Sequence, residues 1–510
     1  NGTVEARKDA VITAEATNNV SLSEVFDNDT VIENDDNFTE AFGQITKNVA
    51  QVDINGKVTG QHVDIEANTI NNYISGTNEE VNLGWLTGIA GVMAINWDAS
   101  YAVLANEATV NINEGAVITA KAAAEEGKTA LNISADSSLK ASVGASTSAI
   151  KLANIKGTSN MPAASVGYVK ADNSAEVNIA GELHSKGNTN ISANADNTVE
   201  LVAADTTTQL KGDPTVFNVA VAIADGSNSS SVEIKDTAKM TDLNGDLDIT
   251  ATSTNSIDTQ ALVKGKEGSF IGTAVNVTNF DSSADVKIDT AIKADSVDIA
   301  AGNSVDKNNV VADNNVGSGY FTNLVVSNVK STKTAEDITN FAGAIKEKFL
   351  GPEKPDIQTP LNALGKWASV GVSVGVVNET NNANVTLTNN AQITAQNDAG
   401  TKGNISVTAN NYIADTSMRV TGATNNYSSD VNNEALVNAA VLYSDMDSNA
   451  AVTLEGGESA ADGTGKYTQL NGADINVQAN SEFDYGRIDK MIGDILLLCQ
   501  KLEGAYNVNS

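Results

Sequence analysis

The sequence predicts an all-β chain that winds into a parallel β-helix, and two observations favour this fold class. One phrase of alternating apolar and polar residues returns along the chain, each time as V-x-I or V-x-L, a turn, and an ending such as I-x-V-x-A. The apolar residues are mostly Ala, Val and Ile, and aromatic residues make up only 5% of the chain. Thin stacked layers accommodate small and branched side chains, whereas a conventional globular core is filled largely by aromatic rings.

The phrase occurs in seven full copies, and a partial copy begins at Val4. A strand of small residues, such as VGVSVGVVN from Val370, precedes most copies. The intervals between copies vary from 54 to 99 residues, which is too irregular for a repeat of fixed length but is typical of a solenoid with loops of variable size. The full copies begin at Val52, Val110, Val177, Val232, Val286, Val385 and Val452.

Strand alternation places Val, Ile and Ala on one face of each strand and Thr, Asn, Lys and Asp on the other. Coils that stack at about 4.8 Å pair their backbones, and their inward side chains form ladders of Val, Ile and Ala. We expect Asn at the coil corners, where it tolerates left-handed backbone conformations and can hydrogen-bond an Asn of the next coil. At roughly 20 to 25 residues per coil, the chain would form on the order of 20 coils and a rod of about 100 Å.

An array of immunoglobulin-like sandwiches is the competing fold class. Such an array needs a buried Trp in each unit and prolines at edges and turns. The chain has three Trp and five Pro, which do not supply them. We therefore predict a parallel β-helix over 1–330 and 369–481, a helical insert over 331–368, and a C-terminal helix or cap over 482–510.

The insert interrupts the strand pattern in the longest interval. Apolar residues recur there at helical spacing after Thr334, a possible N-cap, and Gly351-Pro352 ends the helix. The insert either packs on the flank of the solenoid and covers it, or presents a ligand-recognition element, since loops on a rigid scaffold often carry binding. Its candidate binding residues are Ile338, Phe341, Ile345, Phe349 and Trp367.

The segment 482–510 carries the apolar spacing of an amphipathic helix. We expect this helix to cap the end of the coil stack, because an open edge pairs with other chains. Contact with a neighbouring subunit, or the start of another helical insert, are the alternatives. The residues of its apolar face include Ile488, Ile492, Ile495, Cys499 and Leu502.

The composition is strongly acidic, with 31 basic and 64 acidic residues, a formal charge of −33 and a pI near 4.2. Such a field repels nucleic acid and anionic lipid, so we expect neither as a partner. No run of 18 apolar residues occurs, so no membrane insertion is expected. The acidity suits a protein that stays soluble outside the cell, and the sharper alternative is acidic turns that bind calcium.

The segment TDLNGDLD is the weak candidate for a calcium site. Its polar side chains alternate, but the Glu that an EF-hand loop requires at its twelfth position does not fit. An ordinary Asn-Gly turn is the preferred interpretation, so no metal and no other cofactor is expected. The candidate ligands would be Asp242, Asn244, Asp246 and Asp248.

The sequence offers little support for catalysis. With one Cys and two His, His62 and His184, neither a zinc site with soft ligands nor a Ser-His-Asp relay can be assembled. Polysaccharide-degrading β-helices combine clustered carboxylates with basic residues and aromatic sugar platforms, and this chain is poor in the last two. The single Cys499 excludes an intrachain disulfide and fits bacterial secretion better than a eukaryotic route.

The pairing of GVSVGVVN with ANVTLTNNAQITAQ and GNISVTAN resembles the repeats of very large bacterial exoproteins. These include filamentous-haemagglutinin-like proteins of two-partner secretion, autotransporter passengers and leukotoxin-type surface proteins. The likeness runs from Val4 to about Ala479. It implies a right-handed parallel β-helix, secreted or held at the bacterial outer membrane, and a chain that is one segment of a longer protein.

We therefore expect a non-enzymatic adhesin segment, a rigid stalk that presents binding elements to a protein or glycan of a host cell, another bacterium or a matrix. The first alternative is a secreted subunit that polymerises end to end into an extracellular filament. The second is a β-helical enzyme that degrades polysaccharides.

Overall fold

The computed structural model describes residues 2–21, 39–75, 96–123, 128–148, 163–207, 217–265, 271–315, 370–414, 416–421, 437–456 and 467–483. In these ranges the chain forms 24 strands, which assemble into three parallel sheets. Strands that are neighbours in a sheet are separated along the chain by one strand from each of the other two sheets. This order is that of a parallel β-helix in which each coil contributes one strand to every sheet.

Sheet A consists of short strands, which follow one another in the order β1 (Thr3–Glu5), β4 (Lys57–Gly60), β7 (Val117–Ala120), β10 (Glu182–Ser185), β13 (Lys239–Leu243), β16 (Ala291–Ala294), β19 (Gln392–Ala395) and β23 (Gln469–Asn471).

Sheet B consists of longer strands, in the order β2 (Asp9–Ser21), β5 (His62–Ser75), β8 (Thr129–Ser148), β11 (Asn188–Thr207), β14 (Asp246–Gly265), β17 (Ser296–Asn315), β20 (Ile405–Ile413) and β24 (Ile475–Phe483). The strand β21 (Thr416–Thr421) continues the seventh coil and also pairs with β17.

Sheet C contains the third strand of each of the first seven coils, in the order β3 (Thr39–Ile54), β6 (Asn96–Ile112), β9 (Ala163–Ile179), β12 (Phe217–Ile234), β15 (Ile271–Ile288), β18 (Val370–Leu387) and β22 (Val437–Leu454). All strand pairs within the three sheets are parallel, which contradicts the alternative of antiparallel sandwich modules.

The first valines of the repeated phrase form one column in sheet C. Val52 pairs with Val110, and Val110 pairs with Val177. The column then continues without a shift through Val232, Val286, Val385 and Val452. Each copy of the phrase is therefore one coil, and the predicted inward ladders of Val, Ile and Ala are confirmed.

The predicted coil size was wrong. The described residues form eight coils, as the eight strands of sheet A show, and the phrase returns after 54 to 99 residues and not after 20 to 25. The reason is the length of the strands in sheets B and C, which reach 20 residues. Eight coils stack to about 34 Å, and a strand of 20 residues extends for about 65 Å, so each coil is wide and flat.

Sheets B and C face each other and enclose the core. One apolar cluster lies where these sheets meet sheet A and includes Ile112, Ile118 and Ile133. A second cluster lies toward the other end of the long strands and includes Leu104 and Leu201. The aromatic content is low because most inward positions hold Ala, Val, Ile or Leu.

A bulge at Asp306 keeps the inward pattern of β17 in phase. Asn255 of the previous coil pairs with Val305, whereas Ser256 pairs with Lys307, so Asp306 is the extra residue. Since side chains alternate along a strand, this extra residue lets Asn308 enter the core and leaves the Lys307 side chain at the surface, where it contacts Asp258 at 2.6 Å.

The helical insert 331–368 and nearly all of the C-terminal segment 482–510 lie outside the described residues. The described part of that segment, Glu482 and Phe483, belongs to β24 and not to a helix. The right-handed winding of the coil stays a prediction.

Candidate functional site

The outer face of sheet B is the candidate contact surface. A column of polar residues crosses five coils there and consists of Asp64, Asn132, Asn190, Asp248 and Asp298. The Asn132 amide donates to Asp64 at 2.7 Å, and the Asn190 amide donates to Asn132 at 2.8 Å. We call this column the sheet B ladder.

A second hydrogen-bonded column runs beside the sheet B ladder. There the Asn194 amide donates to Asp136 at 2.7 Å across neighbouring coils. The parallel register that aligns the coils also aligns equivalent side chains, so carboxylates and amides repeat at about 4.8 Å along the axis. Such a surface offers both donors and acceptors in rows, which suits hydroxyl groups, amides and cationic groups of a partner.

Burial and neighbouring carboxylates raise the pKa of two carboxyl groups on this face. Burial raises the pKa of Glu66, and the neighbouring carboxylate of Asp64 raises it further. Burial also raises the pKa of Asp248, with added repulsion from Asp298 and Asp246. Ionisation of Glu66 and Asp248 is therefore less favourable than in water, and a positively charged contact beside them would favour their ionised forms.

The four residues of the weak calcium candidate do not form one cluster. Asp242 lies in β13 with its Oδ2 atom 2.8 Å from His184 Nδ1, while Asp246 accepts a hydrogen bond from Ser296 at 2.5 Å in the next coil. Between them Gly245 has a φ of +116°, as expected of a glycine turn, and the Asn244 backbone N–H donates to Ser185. In the described ranges no group of three or more His, Cys, Asp or Glu side chains could hold a metal ion.

Both histidines lie at the surface and contact a carboxylate of a neighbouring coil, His62 with Asp9 and His184 with Asp242. His62 Nδ1 lies 2.9 Å from Asp9, and His184 Nε2 lies 2.9 Å from Glu182. A Lys239 ammonium also reaches Glu182, at 3.2 Å. The contacts with Asp9, Asp242 and Lys239 join successive coils, whereas Glu182 lies in the same strand as His184.

A column of inward polar residues, buried except at Asn48, Ser448 and Ser481 in the end coils, was missed by the sequence analysis and divides the core between the two apolar clusters. Its central member, Asn173, accepts from Ser137 Oγ at 2.6 Å and donates to the Asn228 side chain at 2.9 Å. It also donates to the Asp196 carbonyl at 2.9 Å. The polar spine, as we call it, comprises Asn48, Asn106, Asn173, Asn228, Ser282, Asn381 and Ser448 of sheet C and the facing Thr69, Ser137, Ser253, Asn303, Asn411 and Ser481 of sheet B.

Asn lies at coil corners, as predicted: Asn55, Asn113 and Asn390 lie between strands of sheets C and A, and Asn244 lies between β13 and β14. Hydrogen bonds between Asn side chains of successive coils do occur, but within the long strands, as between Asn173 and Asn228. The glycines with left-handed φ in the described chain are Gly115, Gly245 and Gly400. Glycine adopts this conformation without the steric cost that Asn incurs, so it occupies these three positions.

Glu379 is the one carboxylate of the described chain that lies in the core. It follows Phe280 and precedes Met446 in its column of sheet C, and the Asn308 amide of sheet B contacts both of its oxygens. Burial raises the pKa of Glu379 to about 7, although the hydrogen bonds from Asn308 act in the opposite direction. Near neutral pH this side chain therefore exchanges a proton inside the coil.

The predicted binding residues of the insert, Ile338, Phe341, Ile345, Phe349 and Trp367, lie outside the described residues, as do Ile488, Ile492, Ile495, Cys499 and Leu502 of the C-terminal segment. The part of the chain that the structure describes has no helix of the length and hydropathy that a membrane crossing requires.

Comparison with known proteins found no matching family model, no matching curated protein and no matching solved structure.

Proposed function

We propose that this chain is a non-enzymatic segment of a bacterial adhesin that is secreted or held at the cell surface, and that it presents the outer face of sheet B to a partner. The partner would be a glycan or a protein of a host cell or another bacterium. The sheet B ladder carries the proposal, because it repeats hydrogen-bonding groups in fixed register from Asp64 to Asp298. A glycan is a periodic polymer, and its repeated hydroxyl groups can hydrogen-bond to such rows.

The net charge of the chain and its repeated sequence phrases support the same proposal. A formal charge of −33 favours solubility outside the cell and disfavours nucleic acid. The repeated phrases resemble those of filamentous-haemagglutinin-like exoproteins, whose role is attachment. The height of the described coils, about 34 Å, makes this segment a broad platform and only a short part of any stalk.

A binding screen tests the proposal. The chain is immobilised and probed with host and bacterial glycans and with whole cells. We expect at least one class to bind, and the combined variant Asp64→Ala, Asn132→Ala, Asn190→Ala and Asp248→Ala to lose at least tenfold in affinity. The control variant, Asn279→Ala with Asn378→Ala, changes an outward column of sheet C and should bind as the parent chain does.

Two outcomes would contradict the proposal. Equal binding by the parent chain and the ladder variant would exclude the sheet B face. Cleavage of a polysaccharide by the parent chain, lost in Asp246→Asn or Asp248→Asn, would replace the adhesin with the enzyme alternative.

Self-association is the second candidate function, because the last described coil leaves apolar side chains open. Leu454, Ile475 and Val477 continue inward columns of the core but are 43–47% exposed. Among the described strands, β22 and β24 also have a sheet partner on one side only. A second copy that added its strands to these edges would bury both features.

Sedimentation velocity over a wide range of concentration distinguishes the two functions. A filament subunit would show an increasing sedimentation coefficient, which the pair Ile475→Lys and Val477→Lys would abolish. The control Ile70→Lys changes an exposed residue in the second coil and should not alter assembly. A monomer at all concentrations would exclude the filament.

A further inference from the structure

The outer face of sheet C carries an apolar stripe beside its connecting loops. Two adjacent outward columns form it, and we call them the outer stripe. The columns are Tyr101, Tyr168, Ile223, Val277, Val376 and Tyr443, and beside them Ala99, Val166, Val221, Val275, Val374 and Val441. The next outward column toward sheet A is largely polar, with Lys170, Asp225, Asn279, Asn378 and Asp445.

Burial along the outer stripe is uneven. Tyr101 in the second coil and Tyr443 in the seventh are 40% and 42% exposed. Val277, Val374 and Val376, in the fifth and sixth coils, are only 5–6% exposed although they point away from the core. The middle of the outer stripe is therefore shielded from solvent, whereas its two ends are exposed.

The cover does not come from the described strands. In the described part of the chain, the strands that pack substantially against β15 and β18 are their neighbours in sheet C and the strands of sheet B behind them. Sheet B lies on the inner side, so it cannot bury the outward valines.

The length and position of one connection identify the occupant. The connection from Asn315 to Val370 spans 316–369 and is the longest at this end of the coils, where the others span 22–38, 76–95, 149–162, 208–216, 266–270 and 422–436. It leads directly into β18, the strand whose outward valines are most deeply buried. Connections of five or nine residues close the gap between sheets and leave little chain to cover a face.

The chemistry of this connection matches the outer stripe. Residues 331–368 carry Ile338, Phe341, Ile345 and Phe349 at helical spacing, which would form one apolar face. The same segment contains five Lys and five acidic residues, so it is neutral in a chain of formal charge −33. It can therefore approach the acidic solenoid without net repulsion, and burial of its apolar face removes two exposed apolar surfaces together.

We propose that residues 331–368 dock on the outer stripe of sheet C, with their apolar residues over Val277, Val374 and Val376. The apolar residues of the insert then serve an intrachain contact and are not free for a receptor. The inference does not rest on the adhesin proposal, which concerns the opposite sheet.

Disulfide trapping tests the docking in the full chain. Cys499→Ser removes the single cysteine, and Val374→Cys is combined in turn with Ile338→Cys, Phe341→Cys, Ile345→Cys and Phe349→Cys. A disulfide requires Cα atoms within about 7 Å, so we expect an intramolecular bond with at least one of the four partners. The matched control pairs the same insert cysteines with Thr250→Cys on the outer face of sheet B, where none should form.

Thiol labelling provides a measurement that does not depend on cross-link geometry. A single cysteine at Val374 should react at least tenfold more slowly than one at Tyr443, and Phe341→Asp with Ile345→Asp should remove most of this protection. Labelling that the aspartates leave unchanged, with no disulfide to any insert position, would overturn the proposal. Cross-links only between two chains would overturn it too and would assign the outer stripe to a second copy.

Discussion

The side-chain amide of Asn308 lies 2.7 and 2.8 Å from the two carboxylate oxygens of Glu379, inside the flat coil between sheets B and C. This contact joins a buried amide to a buried carboxyl group whose pKa burial raises to about 7 from an ordinary 4.5. Burial of the Glu379 carboxyl group therefore gives the stability of the coil a specific dependence on pH.

We expect stability to fall as the pH rises through 7 because of Glu379. Its folded pKa lies above its unfolded value, so its stabilising contribution is complete below about pH 4.5 and is lost as the pH rises through about 7. A shift of this size corresponds to about 3 kcal/mol between pH 4.5 and pH 8. Urea unfolding of the parent chain and of Glu379→Gln at pH 5 and pH 8 measures it, and the variant should show a smaller decrease.

The exposed Glu482 provides the matched control for that experiment. Glu482→Gln should retain the pH dependence of the parent chain. If Glu379→Gln and the parent chain lost the same stability between pH 5 and pH 8, the assignment to Glu379 would be wrong.

Substitutions in the polar spine should lower the free energy of unfolding more than substitutions of outward polar residues do. Asn173→Ala leaves the buried Ser137 and Asn228 side chains short of a partner, and each unsatisfied buried group costs about 1–3 kcal/mol. We expect a loss of about 2–4 kcal/mol in the free energy of unfolding. Asn178 lies in the same strand as Asn173, and its side chain makes a partly exposed hydrogen bond to Asn111 of the neighbouring strand β6. Asn178→Ala should therefore cost less than about 1 kcal/mol. Equal losses for the two variants would show that the spine does not stabilise the core.

Gly226 should not tolerate a side chain, because its backbone lies against the neighbouring coils. A Cβ atom at this position would lie 2.1 Å from the Ala171 carbonyl oxygen and 2.9 Å from the Phe280 ring. Gly226→Ala should therefore destabilise the chain by about 1–3 kcal/mol through overpacking. Gly302 has no atom within 4 Å of a Cβ, so Gly302→Ala should change stability by less than about 1 kcal/mol. Thermal unfolding of both variants measures which substitution destabilises the chain more. A Gly226→Ala variant as stable as the parent chain would contradict the expected order.

The sequence allowed the fold class and the inward ladders to be predicted, because Val52, Val110 and the later phrase valines mark the same position in every coil. Coil size was mispredicted because alternation continues over strands of up to 20 residues, and period-2 patterning does not show how far a strand extends before it turns. The seven copies of the phrase were counted correctly, but each was not recognised as a whole coil.

The polar spine had a signal in the sequence that was not used. Asn106 and Asn173 precede the phrase valines Val110 and Val177 by four residues, and an even offset along a strand places both on the same face. The same parity places Glu379 in the core, six residues before Val385. The partner of that carboxylate could not be predicted, because Asn308 enters the core only through the extra residue Asp306.

The central claim is that each copy of the phrase is one flat coil. The distance between two spin labels tests this claim most directly. With Cys499→Ser, labels at Asn111→Cys and Thr453→Cys lie in one outward column of sheet C and five coils apart. Electron–electron double resonance should give a backbone separation near 24 Å, broadened by the linkers. A separation of about 65–80 Å, as expected for coils of 20 to 25 residues, would contradict the account.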